Sequence, residues 1–311
     1  MRGFWRTKRA RLAVLACLAM PTQAAPAIAR PVIAVTIDDL PSHASLPPGT
    51  TRRAIGQAII AALTAEHVPA RGFVNGLAIE REPDTAAVLN DWTAAGLTLG
   101  NHGWSHRTID TMTAEEFARE LTRNEPTLAV AAPSGDWRWF RFPYLAEGED
   151  DAKRTATRAI LAARGYRIAA VTMSFGDFAY NDPYARCVKQ GDRQAIARLE
   201  RAWLAGARAE ALRSRAMAKA LYGRDIPYVL LLHLGGLDAR MMPRLLRLYR
   251  SMGFGFVSLE QAERDPAYAA DLDPSRPATM SSLEGRLTAA GKPVPPSLPL
   301  PEAQGRVCPA R

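Results

Sequence analysis

Short apolar, β-branched runs alternate along this chain with longer stretches whose apolar residues recur at helical spacing. Residues 31–37 (Pro-Val-Ile-Ala-Val-Thr-Ile) read as a buried strand. Residues 50–67 place Ile55, Ile59, Ile60 and Leu63 on one helical face, and Pro69 stops the helix. Residues 71–75 predict a second strand, 83–95 a second helix and 97–100 a third strand. Thr113 with Glu116 forms a capping box for a helix running to residue 131, with a kink expected at Pro126. Residues 137–142 are strand-like. Residues 150–164 are helical and end at Gly165, where glycine can take the left-handed cap. A strand over 166–173 precedes a long Ala- and Arg-rich helical region, 192–222. A strongly apolar strand (226–232), a helix (239–252) and a last strand (254–258) complete the series.

This β-then-α order implies a mostly parallel sheet covered by helices, either closed into a barrel or open and doubly wound. From residue 265 the composition changes: Pro266, Pro274, Pro277, Pro293, Pro295, Pro296, Pro299, Pro301 and Pro309 mark residues 265–311 as a Pro-rich, non-core C-terminal tail, wrapped on the surface or mobile. The chain shows no internal repeat and no appended binding module. The domain plan is therefore an N-terminal segment 1–29, a catalytic-sized α/β domain 30–264, and the tail.

Composition narrows the class. The 311 residues are 48% hydrophobic and 23% charged, which sets aside collagen-like, disordered and multi-span membrane proteins. The net charge of +9 overstates the basicity of the domain, because Arg2, Arg6, Lys8, Arg9 and Arg11 supply five positive charges in a segment without acids. That basic stretch precedes an apolar run, residues 12–20, too short to span a bilayer, and then small residues from Ala24 to Ala29, the pattern of an export signal. Cleavage after Ala24, Ala27 or Ala29 fits; an uncleaved anchor is the alternative. Its removal leaves a net charge of +4. With 7% aromatics and no basic–aromatic run, nothing calls for nucleic acid. No other segment is long and apolar enough to span a membrane, so the expected location is periplasmic or secreted. Cys187 and Cys308, left after loss of Cys17, either pair in an oxidising compartment or stay free thiols.

The candidate chemistry lies at strand ends. His102 and His106 directly follow the third strand, and a spacing of four puts both imidazoles on one side of a helical turn, as for two ligands of one divalent ion or two polar surface positions. Asp38-Asp39 follows the first strand; two carboxylates there read as a cap or turn, or as catalytic groups collected where barrel strands end. Two imidazoles and a carboxylate form an open catalytic set with room for a water. Arg141-Phe-Pro-Tyr144 follows another strand, and its arginine can grip a carboxylate with two hydrogen bonds. His233 ends the run Val229-Leu-Leu-Leu, and Asp177 in Ser174-Phe-Gly-Asp-Phe178 can pair with it and keep the imidazole protonated.

Taken in order, Asp38-Asp39, the His102/His106 pair, Arg141-Phe-Pro-Tyr144, Asp177-Phe178 and Leu231-Leu-His233 resemble the five motifs of the NodB-homology polysaccharide deacetylases, carbohydrate esterase family 4, over residues 31–262. The resemblance implies a distorted (β/α) barrel and metal-dependent removal of acetyl groups from an N- or O-acetylated glycan or small acetylated sugar. It implies that Asp39, His102 and His106 hold the metal, that Asp38 is the base and His233 the acid. By the same carry-over Arg141 orients Asp38, Asp177 tunes His233, and the Tyr144 backbone N–H faces the oxyanion.

The chain departs from the family pattern at Leu40-Pro41 in place of glycine, at Phe178 in place of tryptophan and at Ser174 in place of aspartate. These changes leave the metal set intact and alter the rim. Zinc is the default for two histidines and one aspartate, with cobalt, nickel or manganese also suited. Two other functions fit the same residues: a C–N hydrolase acting on a small non-sugar amide or ureide, and a non-catalytic glycan-binding envelope protein.

Overall fold

Both faces of the first strand are covered, and that fixes the architecture around it. In the computed structural model, which describes residue 1 and residues 30–277, 280–300 and 307–309, β1 (Val32–Leu40) lies inside the sheet. Ile33, Val35 and Ile37 alternate along it with Ala34 and Thr36, and all five are buried. A strand buried on both sides belongs in a parallel sheet with helices against it. The expected export segment and Cys17 lie outside the described residues.

The other strands are β2 (Ala70–Val74), β3 (Thr98–Asn101), β4 (Trp139–Phe140), β5 (Arg167–Ile168), β6 (Tyr228–His233) and β7 (Gly255–Phe256). The order is β5-β4-β3-β2-β1-β6, parallel throughout, and β7 pairs with the start of β1. Beyond β5 the chain runs to Met173, whose N–H donates to the Val229 carbonyl (3.1 Å) and whose carbonyl accepts from Leu231 N–H (3.0 Å). The path from β5 thus meets β6, and the sheet curls round as a distorted (β/α) barrel. Register brings Asp38 opposite His233, Val74 opposite Asn101 and Asn101 opposite Phe140, so the C-terminal strand ends lie level at one mouth.

Helices fill the connections: α1 (Arg52–Ala65), α2 (Gly76–Arg81), α3 (Ala86–Ala94), α4 (Ala114–Ala131), α5 (Asp151–Ala163), α6 (Asn181–Gln190), α7 (Arg193–Tyr222), α8 (Gly236–Ser251) and the short α9 (Leu259–Ala262), α10 (Ala269–Leu272) and α11 (Leu283–Ala289). The Thr113–Glu116 capping box is formed, and α4 continues through Pro126. In α7, Ala195, Leu199, Trp203, Ala207, Ala211 and Ala218 make a buried stripe at helical spacing. Among the described residues no helix is long and apolar enough to cross a membrane.

Three expectations change. The strands expected over 137–142 and 166–173 shorten to two residues each: the carbonyls of Ala169 and Ala170, just past β5, accept from the Arg141 guanidinium (3.0 and 3.2 Å), and the chain after β4 turns at Pro143. Helix α6 was not anticipated. The region after residue 265 is not a non-core tail: Tyr268, Leu283 and Leu287 are fully buried in the main core. Arg286 ties this region down through Asp271 (3.0 Å) and the Tyr222 hydroxyl (2.9 Å), and Cys187 and Cys308 form a disulfide that joins the C-terminal end to α6. Proline density conceals a seven-residue helix whose two leucines, four positions apart, face inward.

Truncating Leu287 to Ala is therefore expected to lower the unfolding free energy by about 2–4 kcal/mol, the range for a buried leucine. Denaturant unfolding checks it; a loss under about 0.5 kcal/mol would mark a peripheral tail.

Candidate active site

Adjacent residues on a regular strand face opposite sides, yet Asp38 and Asp39 reach the same mouth. The β1–β2 register shifts between Ile37 and Leu40, and Asp39 has φ +62, which aspartate tolerates better than most residues. Asp38 stays in the ladder and points at Arg141, whose Nη1 lies 3.1 and 3.2 Å from its two oxygens. The remaining Arg141 donors go to the Thr36 hydroxyl and the Ala169 and Ala170 carbonyls, so the guanidinium cannot swing away. Arginine and aspartate are each nearly inaccessible, which makes this a buried, oriented pair.

Asp39 faces the histidines. Its Oδ1 is 3.5 Å from His102 Nε2 and 3.4 Å from His106 Nε2. These two residues do not share a helical turn as expected. They lie in an irregular loop in which Gly103 (φ +76) and His106 (φ +55) both take left-handed backbone, a turn that glycine permits at the first position. Asn75 holds this loop by donating to the His102 and Gly103 carbonyls (2.8 and 3.0 Å), and Glu120 accepts from Ser105 N–H (2.7 Å). His102 Nδ1 donates to the Arg141 carbonyl (2.8 Å), which leaves the lone pair on Nε2.

The donor set fits a cation. One ligand atom each from Asp39, His102 and His106 lie within 4.8 Å of one another. A tetrahedral zinc with bonds of about 2.0–2.1 Å separates its donors by about 3.4 Å, close to both Asp39–histidine distances. Asp39 Oδ1 is buried and has no hydrogen-bond partner among the described residues. Burial would raise the Asp39 pKa, but the hydrogen bond from His43 and the charges of His233, His102 and His106 hold it far below the ordinary carboxylate range. Burial lowers the His106 pKa to about 4 against the pull of Asp39, so this imidazole is neutral at pH 7, as a ligand must be.

On the far side, Asp177 accepts from the backbone N–H of His233 (2.7 Å) and sits 3.1 and 3.2 Å from its Nδ1. Burial opposes charge on His233, but the charge and hydrogen bond of Asp177, with Asp39 and Asp38 behind them, raise its pKa to about 10. Tyr144, at φ +57, is 69% exposed, with its ring 4.5 Å from that of His106; Phe178 is 45% exposed and meets His233 edge-on. A cavity of about 290 Å³ opens here, floored by Asp38, Asp39, His102 and His233 and walled by Phe142, Tyr144, Leu145, Phe178 and Leu231. A second hollow of about 290 Å³ shares Asp39, His43 and His106 and extends to Arg81, Glu82 and Trp104. A larger one, about 530 Å³, lies between α3 and the start of β4, and Asp136 is the one ionisable residue in its lining.

Two features escaped the sequence reading. His43, four residues after Asp39, donates to its Oδ2 (2.8 Å) and packs against the His233 ring (4.7 Å); a further histidine so close to the aspartates was the available signal. Trp203 of α7 and Asn181 of α6 both donate to the buried Asp238 (3.1 and 2.7 Å), and Asn181 also reaches the Asp177 carbonyl (3.5 Å). No sequence pattern marks that relay.

Residues 27–169 match the family model described as polysaccharide deacetylase. That segment is similar to polysaccharide deacetylase domains. Solved structures share its fold: the Xyl-CE4 domain of a multidomain xylanase from the hindgut metagenome of Trinervitermes trinervoides aligns at 15% identity over 78% of this chain and 95% of that one (TM-score 0.53). A CE4 family pseudoenzyme from Bacillus anthracis aligns at 12% identity over 82% of this chain and 70% of that one (TM-score 0.54). A mutant of it with restored enzymatic activity aligns at 14% identity over 76% and 68% (TM-score 0.53). No curated protein matches the sequence. The matched segment holds Asp38, Asp39, His102, His106, Arg141 and Tyr144, whereas Asp177 and His233 come from the part of the barrel beyond it.

Replacing Asp177 by Asn removes the largest influence that raises the His233 pKa and leaves burial, which lowers it. In chelator-treated protein, His233 is expected to titrate near 10 in the parent chain and clearly lower in D177N, where Asp39 and Asp38 remain to oppose burial. Histidine side-chain NMR titration reads this directly; an unmoved value would refute the pairing.

Proposed function

We propose that the protein is a metal-dependent hydrolase that removes acetyl groups from an N- or O-acetylated carbohydrate. The observation that carries this reading is the Asp39–His102–His106 cluster, flanked on one side by Asp38 with Arg141 and on the other by His233 with Asp177. Fold alone would not suffice, since one protein of the same fold is a pseudoenzyme.

A divalent cation on Asp39, His102 and His106, zinc by donor type, supplies Lewis-acid polarisation of the acetyl carbonyl and a more acidic water. Asp38, gripped by Arg141, accepts the proton of the attacking water. The backbone N–H of Tyr144 donates to the carbonyl oxygen as negative charge grows on it. His233, kept protonated by Asp177, gives its proton to the departing nitrogen or oxygen. Phe142, Leu145 and Leu231 form an apolar wall suited to the acetyl methyl, and the hollow reaching Trp104, Arg81 and Glu82 offers polar groups and an aromatic face to a sugar. The basic-then-apolar N-terminus and the Cys187–Cys308 disulfide support export to a periplasmic or extracellular site.

Acetate release from a panel of acetylated glycans and small acetylated sugars, with and without chelator, tests the reading. Release is expected only with metal, and none from any member of the panel would refute it. His102→Ala is expected to abolish stoichiometric metal binding and activity together; retained stoichiometry would remove His102 from the ligand set. His233→Ala is expected to slow amide hydrolysis by about 10²–10⁴-fold. Acetyl esters, whose leaving group needs a proton less, should lose markedly less, so equal losses on both would contradict the role of acid.

A further inference from the structure

We propose that His43 is a positioning residue for the cation site: by engaging Oδ2 of Asp39 it fixes the carboxylate with Oδ1 turned toward His102 and His106. The inference rests on the metal-hydrolase reading and adds a residue to it.

An aspartate can meet a cation with either oxygen or with both, and rotation about its last bond exchanges them. Here His43 Nδ1 lies 2.8 Å from Oδ2. An ionised carboxylate only accepts, so the proton sits on Nδ1 of His43 and the bond has a fixed direction. With Oδ2 engaged, Oδ1 is the oxygen left 3.5 and 3.4 Å from the two Nε2 atoms and without a partner of its own.

His43 is itself held by contacts that need no cation. The carbonyls of His43 and Ala44 accept from Arg52 Nη1 of α1 (2.8 and 2.7 Å), and Ser45 N–H donates to Asp182 of α6 (2.8 Å). Its ring packs on His233, which Asp177 pins from the other side. A continuous line of contacts therefore runs from Asp177 through His233 and His43 to Asp39, and it sets the distance between the acid and the ligand cluster. Losing the His43 donor would leave Oδ2 buried beside a ring with nothing to offer it and free the carboxylate to turn. Hydrogen-bond partners of metal ligands typically contribute about 10–100-fold in metal affinity.

The test is zinc affinity of the full chain, measured by competition with a chromophoric chelator, for the parent and three variants. In His43→Asn the amide nitrogen falls near the place of Nδ1 and can still donate to Asp39; in His43→Phe the ring remains and the donor is gone. His43→Gln reaches instead toward the place of Nε2 and guards against a Phe variant that fails to fold. The expected result is His43→Asn within about threefold of the parent and His43→Phe and His43→Gln weakened by about 10–100-fold, with thermal unfolding of all the chelated forms alike. Zinc binding by His43→Phe or His43→Gln as tight as the parent's would overturn the assignment, as would equal weakening of all three. A parent chain that binds no zinc would instead overturn the hydrolase reading itself, so the two failures are distinct.

Discussion

A buried carboxylate oxygen with no donor of its own is the constraint around which the mouth of this barrel is organised. Asp39 Oδ1 is inaccessible and unpartnered, and burial alone would drive the group to its neutral form. What keeps it ionised is the hydrogen bond from His43 in the loop after β1 and the charge of His233 at the end of β6, while His102 and His106 from the loop after β3 stand on the remaining side. Asp38, one residue earlier, meets the same problem with a different solution. Its compensating charge is Arg141, all of whose contacts are internal to the barrel. One aspartate is neutralised by the protein itself; the other is surrounded by groups that can share a cation with it.

On the proposed mechanism, that difference explains why the two cannot exchange roles. A carboxylate paired with a rigid guanidinium keeps a fixed orientation and has no oxygen free of the arginine, which suits a group that takes a proton from water. Removing one partner of such a buried pair leaves an uncompensated charge, commonly a loss of about 3–5 kcal/mol. Asp39 instead needs an oxygen left free, and the register shift in β1 with the left-handed backbone at Asp39 delivers it to the histidines.

Much of this was legible in the chain because a parallel β/α arrangement puts every strand's C-terminal end at the same mouth. Once residues 31–37, 97–100 and 226–232 read as strands, Asp38-Asp39, His102, His106 and His233 had to lie near one another. The illegible parts depend on contacts distant in sequence. Strand β5 stops early where Arg141 takes the carbonyls of Ala169 and Ala170, which a ladder would have used, and β4 stops short of the turn that begins at Pro143. The His102–His106 loop is set by Asn75 and Glu120 rather than by helical periodicity. The last region reads as polar and proline-rich, yet Leu283 and Leu287 are in the core, since two residues at helical spacing give too weak a pattern to detect. His43 stood in plain view, but only the turn between Asp39 and Ser42 (Ser42 N–H to the Asp39 carbonyl, 2.8 Å) returns it to the carboxylate.

The long excursion through α6 and α7 gains a reason from the same geometry. Asp177 must keep its oxygens on His233 to hold a proton there, so its own surroundings must stay fixed although it is fully buried. Asn181, in the first turn of α6, donates to Asp238 and contacts the Asp177 carbonyl, while Trp203 in the middle of α7 donates to the other oxygen of Asp238. Asn181 Oδ1 in turn accepts from Leu237 N–H at the start of α8 (2.9 Å), and Gly235 lies so close to its amide that any side chain there would collide with it. The two helices thus lock the loop that carries Asp177 against the helix that follows His233. On the proposed mechanism the acid is set by this packing as much as by its aspartate, and the part of the chain beyond the matched segment supplies it.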